Sequence, residues 1–201
     1  MSAVLAMCFY SLSMSISPGP VNMIALTTGL NIGFRRAMPF VSGATIGFSL
    51  LLLMIGLGMG QVAANVPLFL ELLSYSGAAF IAYIGYKIAI SSATIQMGGQ
   101  TSSSFFHGVL LQWLNPKAWI ACFSGVTAFN LVEIEPLLVF VTLYFLICYI
   151  SIACWALAGD KISSLLAKPE NLRLFNRLMG GALVLVAVYL ILAQINILSG
   201  H

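Results

Sequence analysis

The sequence predicts an all-α integral membrane protein with six transmembrane helices, arranged as two inverted three-helix repeats whose first and fourth helices are broken. Three observations support this prediction: an apolar composition, basic residues confined to one side, and two matching proline breaks. Of the 201 residues, 61% are hydrophobic and 6% are charged, which leaves too little polar side chain to cover a soluble globule. We therefore expect one transmembrane domain over residues 1–201 and almost nothing outside the bilayer.

The apolar runs divide into six spans of roughly 20 residues, the length that a bilayer requires. The first span covers residues 3–15 and continues, after a break, over 21–30. The remaining spans are expected at about 39–59, 70–90, 105–129, 137–158 and 178–198. Residues 91–104 are rich in Ser, Thr, Gly and Gln, which is typical of a flexible linker. Repeat 1 therefore covers about 1–90 and repeat 2 about 105–201.

The basic residues predict the orientation of the chain. All but Lys117 fall on one face of this topology, namely Arg35, Arg36, Lys87, Lys161, Lys168, Arg173 and Arg177. The positive-inside rule makes that face cytoplasmic, so both termini are expected outside the cytoplasm. No basic residue precedes Arg35, so the first apolar run lacks the charged region of a cleaved signal peptide and is expected to be retained. The net charge of +3 is too small and too scattered for nucleic-acid binding.

The two breaks are Ser-Pro-Gly-Pro-Val-Asn over residues 17–22 and Asn-Pro-Lys-Ala over 115–118. A proline inside an apolar run removes a backbone donor and clashes with the preceding turn, so neither run forms an unbroken helix. Three spans per half is an odd number, so the second half enters the membrane in the opposite sense. Matched interruptions in inverted halves predict a transport site near the bilayer midplane. The alternative for either break alone is a proline kink that serves packing.

The breaks also predict what such a site would bind. Ser17-Pro18 and Asn115-Pro116 each pair a preferred N-cap residue with proline at the first helical position, so each is expected to begin a new half-helix. Two helix N-termini facing one cavity attract a carboxylate, and the carbonyls that end the preceding half-helices accept from an ammonium group. A zwitterion such as an amino acid carries both groups. The candidate substrate-binding residues are Ser17, Pro18, Gly19, Pro20, Asn22, Gln112, Asn115, Pro116 and Lys117.

Lys117 and Asp160 are the two candidates for proton coupling. Lys117 lies about a dozen residues inside the fourth span, where a charge is costly and usually functional. It could hold a carboxylate or exchange a proton, or it could neutralise a carbonyl cluster for structure alone. Asp160 ends the fifth span and could equally form an interfacial ion pair with Lys161. Asn22 and Gln112 could contact the substrate or only satisfy the broken backbone. We expect neither enzymatic activity nor a cofactor or metal.

The four cysteines suggest a rival function. Cys8, Cys122, Cys148 and Cys154 lie in apolar runs without CxxC spacing and are typical of small core residues. A membrane thiol-disulfide electron-transfer protein would use Cys8 and Cys122, which lie in the two broken spans. These cysteines are, however, roughly 15 Å and 9 Å along a helix from their breaks, which disfavours the idea.

The residues at the breaks resemble the LysE/RhtB family of amino-acid exporters. The pattern at 17–22 followed by Gly29, Gly33 and Arg35 resembles the N-terminal signature of that family, and Leu-Asn-Pro-Lys-Ala at 114–118 resembles its fourth-helix motif. Residues 76–80 and 83–87 resemble its third helix. The resemblance covers essentially the whole chain.

The resemblance implies a dimeric six-helix bundle in the inner membrane that exports amino acids or close derivatives, driven by the proton gradient. The short linker and residues 154–159 resemble members that handle small neutral substrates of the cysteine and O-acetylserine type. The longer charged insertion of some relatives is absent, so a cationic substrate is less well supported. The expected partners are the substrate, protons, the lipid bilayer and a second copy of the chain.

Overall fold

In the computed structural model, residues 3–59, 67–90, 104–163 and 168–199 are described, and all their regular structure is helical. The α-helices are α1 Ala3–Ile16, α2 Pro20–Ile32, α3 Phe34–Met54, α4 Pro67–Ala89, α5 Phe105–Trp113, α6 Pro116–Ala128, α7 Ile134–Ser163 and α8 Pro169–Ser199. A π-helical turn, Ile55–Met59, continues α3. The predicted all-α class is confirmed, whereas most of the predicted linker lies outside the described residues.

Several of these helices are long and apolar enough to cross a membrane. Within the described ranges they are Phe34–Gly58, Ile134–Ser163 and Glu170–Leu192, and the pair α1 and α2 makes a fourth candidate if it counts as one bent span. Large apolar side chains point outward, including Leu185, which is 71% exposed, and Ile150, which is 62% exposed. Such a surface is expected where lipid rather than water surrounds the helices. The six-span inverted arrangement stays a prediction.

Both breaks are present where the sequence predicts them. The axes of α1 and α2 differ by 61°, and residues 17–19 form the non-helical connection between them. Between α5 and α6 the helix stops at Trp113 and restarts at Pro116. Proline occupies the first turn of both α2 and α6, where its missing N–H would lack an intrahelical partner in any case.

Two helices begin earlier than the sequence suggested. Helix α3 starts at Phe34 rather than near residue 39, because Gly33 at φ +86° turns the chain sharply out of α2. Helix α8 starts at Pro169, well before residue 178, so much of the polar segment between the fifth and sixth expected spans is helical. Leu172 and Asn176 are buried, so one face of this polar segment packs against the bundle.

Glycines let three pairs of helices pack closely. Helix α2 packs against α7, α3 against α5, and α4 against α8. A Cβ at each of the interface glycines would overlap or crowd the backbone of the facing helix, and small residues are what permits such approach between helices in lipid. The glycines at these contacts are Gly29, Gly43, Gly47, Gly85, Gly108, Gly159 and Gly180.

A polar pair joins the C-terminal end of α2 to the first turns of α8. The side-chain amide of Asn31 donates to Oδ1 of Asn176 at 3.2 Å, and the amide of Asn176 donates back to Oδ1 of Asn31 at 3.1 Å. Asn176 is fully buried, so the reciprocal bonds meet the requirement that buried polar groups be paired.

Candidate functional site

A cavity of about 40 Å³ lies between the two broken helices, enough for a few water molecules. Five of the predicted site residues line it, although they come from two segments about 90 positions apart: Gly19, Asn22, Gln112, Asn115 and Lys117. Helices α3 and α7 supply the remaining walls. The chain therefore brings both breaks to one internal site.

Lys117 links the two breaks directly. Its Nζ donates to Oγ of Ser17 at 2.7 Å, to the Ser17 carbonyl at 3.1 Å and to the Pro18 carbonyl at 3.5 Å. The two carbonyls are backbone acceptors at the point where the first helix is interrupted, so they lack a helical partner. From the sequence, such carbonyls are expected to accept from a substrate ammonium group. In this conformation the Lys117 ammonium group takes that place.

Asn22 stabilises the same break from within α2. Its side-chain amide donates to the carbonyl of Ser15 at 2.8 Å and to that of Ser17 at 2.9 Å. Asn22 is buried, so its amide supplies the hydrogen bonds that water would otherwise give to these carbonyls. Of the two roles considered for Asn22, satisfying the broken backbone is the one seen here.

The two half-helices begin differently, and one predicted cap is wrong. Asn115 does cap α6, because its Oδ1 accepts from the backbone N–H of Lys117 at 3.2 Å. Ser17 does not cap α2: its hydroxyl donates to the Met14 carbonyl at 3.1 Å. The N-cap position belongs to Gly19, which has no side chain to offer. The first-turn N–H groups of α2 therefore have no side-chain cap, and such a helix end attracts an anion.

Gly19 leaves space for the Lys117 side chain. Its backbone is extended, with φ −170° and ψ 176°, a conformation open to any residue. A Cβ there would lie 3.2 Å from Nζ of Lys117 and 3.4 Å from its Cδ. The glycine thus allows the lysine side chain to lie directly over the start of α2.

The other predicted residues are placed as follows. Gln112 is buried at the cavity wall. Pro18 is exposed, Pro20 is buried and Pro116 is partly buried. None of these prolines is among the described residues that line the cavity, so the role seen for them is to break the helices. Asp160 is not among those lining residues either. It lies near Gly33, beyond the C-terminal end of α2, and the structure does not bring it to Lys117.

Sequence reasoning missed the walls of the cavity. Tyr144, Cys148 and Ile152 follow one another at four-residue spacing and line it from α7, while Phe48 lines it from α3. The spacing is visible in the sequence, but nothing in the sequence shows that this face of α7 meets the two breaks. Ser15 also lines the cavity, and its buried Oγ has no hydrogen-bond partner in the described structure.

The cysteines give no support to thiol transfer. All four are free; Cys122 and Cys148 are buried, and Cys154 is exposed. Cys148, rather than Cys8 or Cys122, is the cysteine at the cavity. Among the described residues no group of His, Cys, Asp or Glu side chains is arranged to hold a metal ion.

The helices, their apolar surface and the polar cavity between two broken helices define a multi-pass helical membrane protein with an internal site. The chain belongs to the LysE family: residues 12–194 match the family described as LysE type translocator. It is 31% identical to a cysteine/O-acetylserine efflux protein of Escherichia coli O1:K1 over 90% of this chain and 91% of the relative. The proteins of the same description from Escherichia coli strain K12 and Shigella flexneri serotype 5b are each 30% identical over the same shares. No solved structure matches the chain.

Proposed function

We propose that this protein is a secondary active exporter that moves amino acids or close derivatives out of the cytoplasm across the inner membrane. The single observation that carries the proposal is the bond between Lys117 in the second break and Ser17 in the first, over a shared cavity. Membership of the LysE family and relatives described as efflux proteins support the direction of transport.

The geometry suggests how a zwitterion would bind. A substrate carboxylate placed between the start of α2 and Lys117 meets an uncapped helix N-terminus and an ammonium group. As Lys117 turns to the carboxylate, it leaves the Ser17 and Pro18 carbonyls, which then accept from the substrate ammonium. The substrate ammonium group thus replaces Lys117 at the Ser17 and Pro18 carbonyls. The two breaks are then connected through the bound substrate.

The positive charge of Lys117 favours neutral substrates. A zwitterion adds no net charge to a site that already holds the charge of Lys117. A cationic side chain would add a second positive charge in a medium of low dielectric constant, where repulsion is strong. The aromatic walls Phe48 and Tyr144 and the cavity of about 40 Å³ further favour a small side chain. These features agree with the relatives described as cysteine/O-acetylserine efflux proteins.

We also propose the six-span inverted arrangement. The broken span α1 and α2 packs against α7, and the broken span α5 and α6 packs against α3, which are equivalent contacts when the two halves are exchanged. Helices α4 and α8, the third of each half, pack against each other. By the distribution of Lys and Arg, both termini lie outside the cytoplasm.

Coupling to protons, through Lys117 or Asp160, and assembly as a homodimer remain part of the proposal. Lys117 is the better placed of the two for coupling, because only Lys117 lies at the cavity. A proton carried by Asp160 would have to act from the cytoplasmic end of α7.

Efflux from preloaded cells tests the proposal. Cells are loaded with labelled cysteine, serine, O-acetylserine, lysine or glutamate, and efflux is followed with and without the protein. We expect faster efflux of the small neutral compounds and no acceleration for lysine. Efflux that is equal with and without the protein for all five compounds would exclude an amino-acid exporter among these classes.

A further inference from the structure

A second cavity, of about 490 Å³, lies at the end of the bundle remote from the basic residues. The π-helical turn after α3, the end of α6 and the start of α7 enclose it. The opposite ends of α3 and α7 carry Arg35 and Lys161, so the positive-inside rule places this outer cavity on the outside of the membrane.

The outer cavity and the central cavity lie along the same faces of three helices. On α7 the central cavity is lined by Tyr144 and the outer one by Leu137. On α3 the corresponding residues are Phe48 and Ile55, seven positions apart as on α7. At a rise of 1.5 Å per residue, each pair is separated by roughly 10 Å along its helix. Helix α6 also contributes to both cavities.

Five aromatic side chains pack on one another as an aromatic layer, and on α7 Phe140 lies between Leu137 of the outer cavity and Tyr144 of the central one. The layer consists of Tyr10, Phe48, Phe129, Phe140 and Tyr144. The rings of Phe48 and Tyr144 stack with centroids 4.3 Å apart, and Tyr144 meets Phe140 edge-on at 5.6 Å. Phe140 also contacts Phe129 at 5.3 Å and Tyr10 at 6.1 Å. Phe140 is 0% exposed and Tyr144 is 2% exposed, so the layer is closed in this conformation.

We propose that the outer cavity is the site into which the exported small zwitterion is released, and that the aromatic layer is the barrier a substrate must pass to reach it. This inference rests on the proposed function. The outer cavity has about twelve times the volume of the central one and includes the polar residues Thr127 and Asn130. A substrate that reaches it can regain water, which makes return through the apolar layer unfavourable.

Two glycines shape the barrier and the wall of the outer cavity. Phe140 packs its ring on Gly125, where a Cβ would lie 2.9 Å from the ring, so the ring depends on the absence of a side chain there. The wall of the outer cavity contains the π-helical turn Ile55–Met59, whose Gly58 has φ +87°. A glycine in this left-handed conformation commonly ends a helix.

Labelling with a charged, membrane-impermeant methanethiosulfonate reagent tests the placement of the barrier without requiring transport. Native Cys148 reports on the central cavity and Thr127→Cys reports on the outer one. With reagent added outside, we expect Thr127→Cys to react at least 10-fold faster than Cys148, each site being read by mass spectrometry of its peptide. If Thr127→Cys does not react from outside, or reacts no faster than Cys148, the proposed release site is overturned. An outer cavity that is filled by lipid chains would give this slow or absent labelling of Thr127→Cys.

Phe140→Ala tests the barrier itself. Removing the ring should join the two cavities and raise the labelling rate of Cys148 from outside at least fivefold. Phe140→Leu, which preserves more packing, should give a smaller rise if the alanine variant does not fold. The matched control is Phe145→Ala on the same helix, because Phe145 stacks on Tyr149 at 6.2 Å and is not part of the aromatic layer.

An unchanged labelling rate of Cys148 in a folded Phe140 variant overturns the barrier assignment. The proposed function fails in a different way, through the absence of amino-acid efflux by the unaltered protein. The two failures are therefore read by separate assays.

Discussion

Replacing Lys117 with methionine removes the charge at the cavity while keeping a side chain of similar length and volume. The three contacts of Nζ with Ser17 and Pro18 disappear. The Ser17 carbonyl keeps its bond from the Asn22 amide, and the Ser17 hydroxyl keeps its bond to Met14. The structural damage should therefore be limited, which makes Lys117→Met a better probe of binding than a truncation.

The expected loss of export follows from the bond to the substrate carboxylate. A hydrogen bond to a charged group contributes about 1.5–3 kcal/mol, which corresponds to a loss of roughly 10- to 150-fold in export per molecule at 1.4 kcal/mol per factor of ten. If Lys117 served only to neutralise carbonyls, the same substitution would lower thermal stability and abundance without changing the rate per molecule.

The assay is initial efflux of a neutral substrate from preloaded cells, divided by the amount of protein in the membrane. The matched control is Lys87→Met, because Lys87 is exposed on α4 and lies 5.7 Å from the ring centre of Tyr83, away from the cavity. We expect Lys87→Met to keep at least half of the normal rate. A Lys117→Met variant that does the same would refute the carboxylate-binding role.

Three further predictions concern the breaks and the packing. Asn22→Ala leaves the Ser15 carbonyl without its amide donor and should lower the free energy of unfolding by about 2 kcal/mol, seen as a lower melting temperature in detergent; an unchanged melting temperature would contradict the role of Asn22. Gly180→Leu should reduce folded protein strongly and Gly181→Leu should not, because a Cβ at Gly180 meets the α4 backbone whereas one at Gly181 meets nothing within 4 Å; equal yields on size-exclusion chromatography would count against the close α4 and α8 contact. A double-mutant cycle of Asn31→Ala and Asn176→Ala should give a coupling of about 0.5–1.5 kcal/mol, and additive effects would show that the reciprocal bonds are not stabilising.

The sequence predicted the breaks well because their signals are local. Pro18, Pro20 and Pro116 fall in the middle of apolar runs, where proline disfavours a continuous helix, and Asn115 before Pro116 carries its own capping geometry. The first cap was misjudged because the motif contains two prolines, one on each side of Gly19, and the sequence does not say which of Pro18 and Pro20 begins the helix. The structure selects Pro20, with Gly19 before it.

The cavity walls could not be predicted, because they depend on which helices become neighbours. The spacing of Tyr144, Cys148 and Ile152 marks one face of α7, but any long apolar helix has several such faces. Only the packing of α7 against α1, α2 and α3 selects the one that meets the breaks. Lys117 illustrates the same limit: its depth in the membrane predicted a functional charge, whereas its partner Ser17, 100 residues away, was visible only in three dimensions.

The polar start of α8 shows a different limit. The expected sixth span began after this segment, at residue 178, because the segment is polar. Its charged residues are Lys168, Glu170, Arg173 and Arg177. Charged residues are nevertheless compatible with a helix that extends beyond the membrane, provided that one face is buried. Leu172 and Asn176 form that face, and the partner of Asn176 lies in the other half of the chain.

The most direct test of the central claim is transport by the purified protein in liposomes loaded with labelled cysteine or O-acetylserine. With an imposed proton gradient, we predict release that is faster than from protein-free liposomes and that Lys117→Met reduces at least 10-fold. Release equal to that from protein-free liposomes, or unchanged in Lys117→Met at equal reconstitution, would contradict the claim that the two broken helices form an amino-acid transport site.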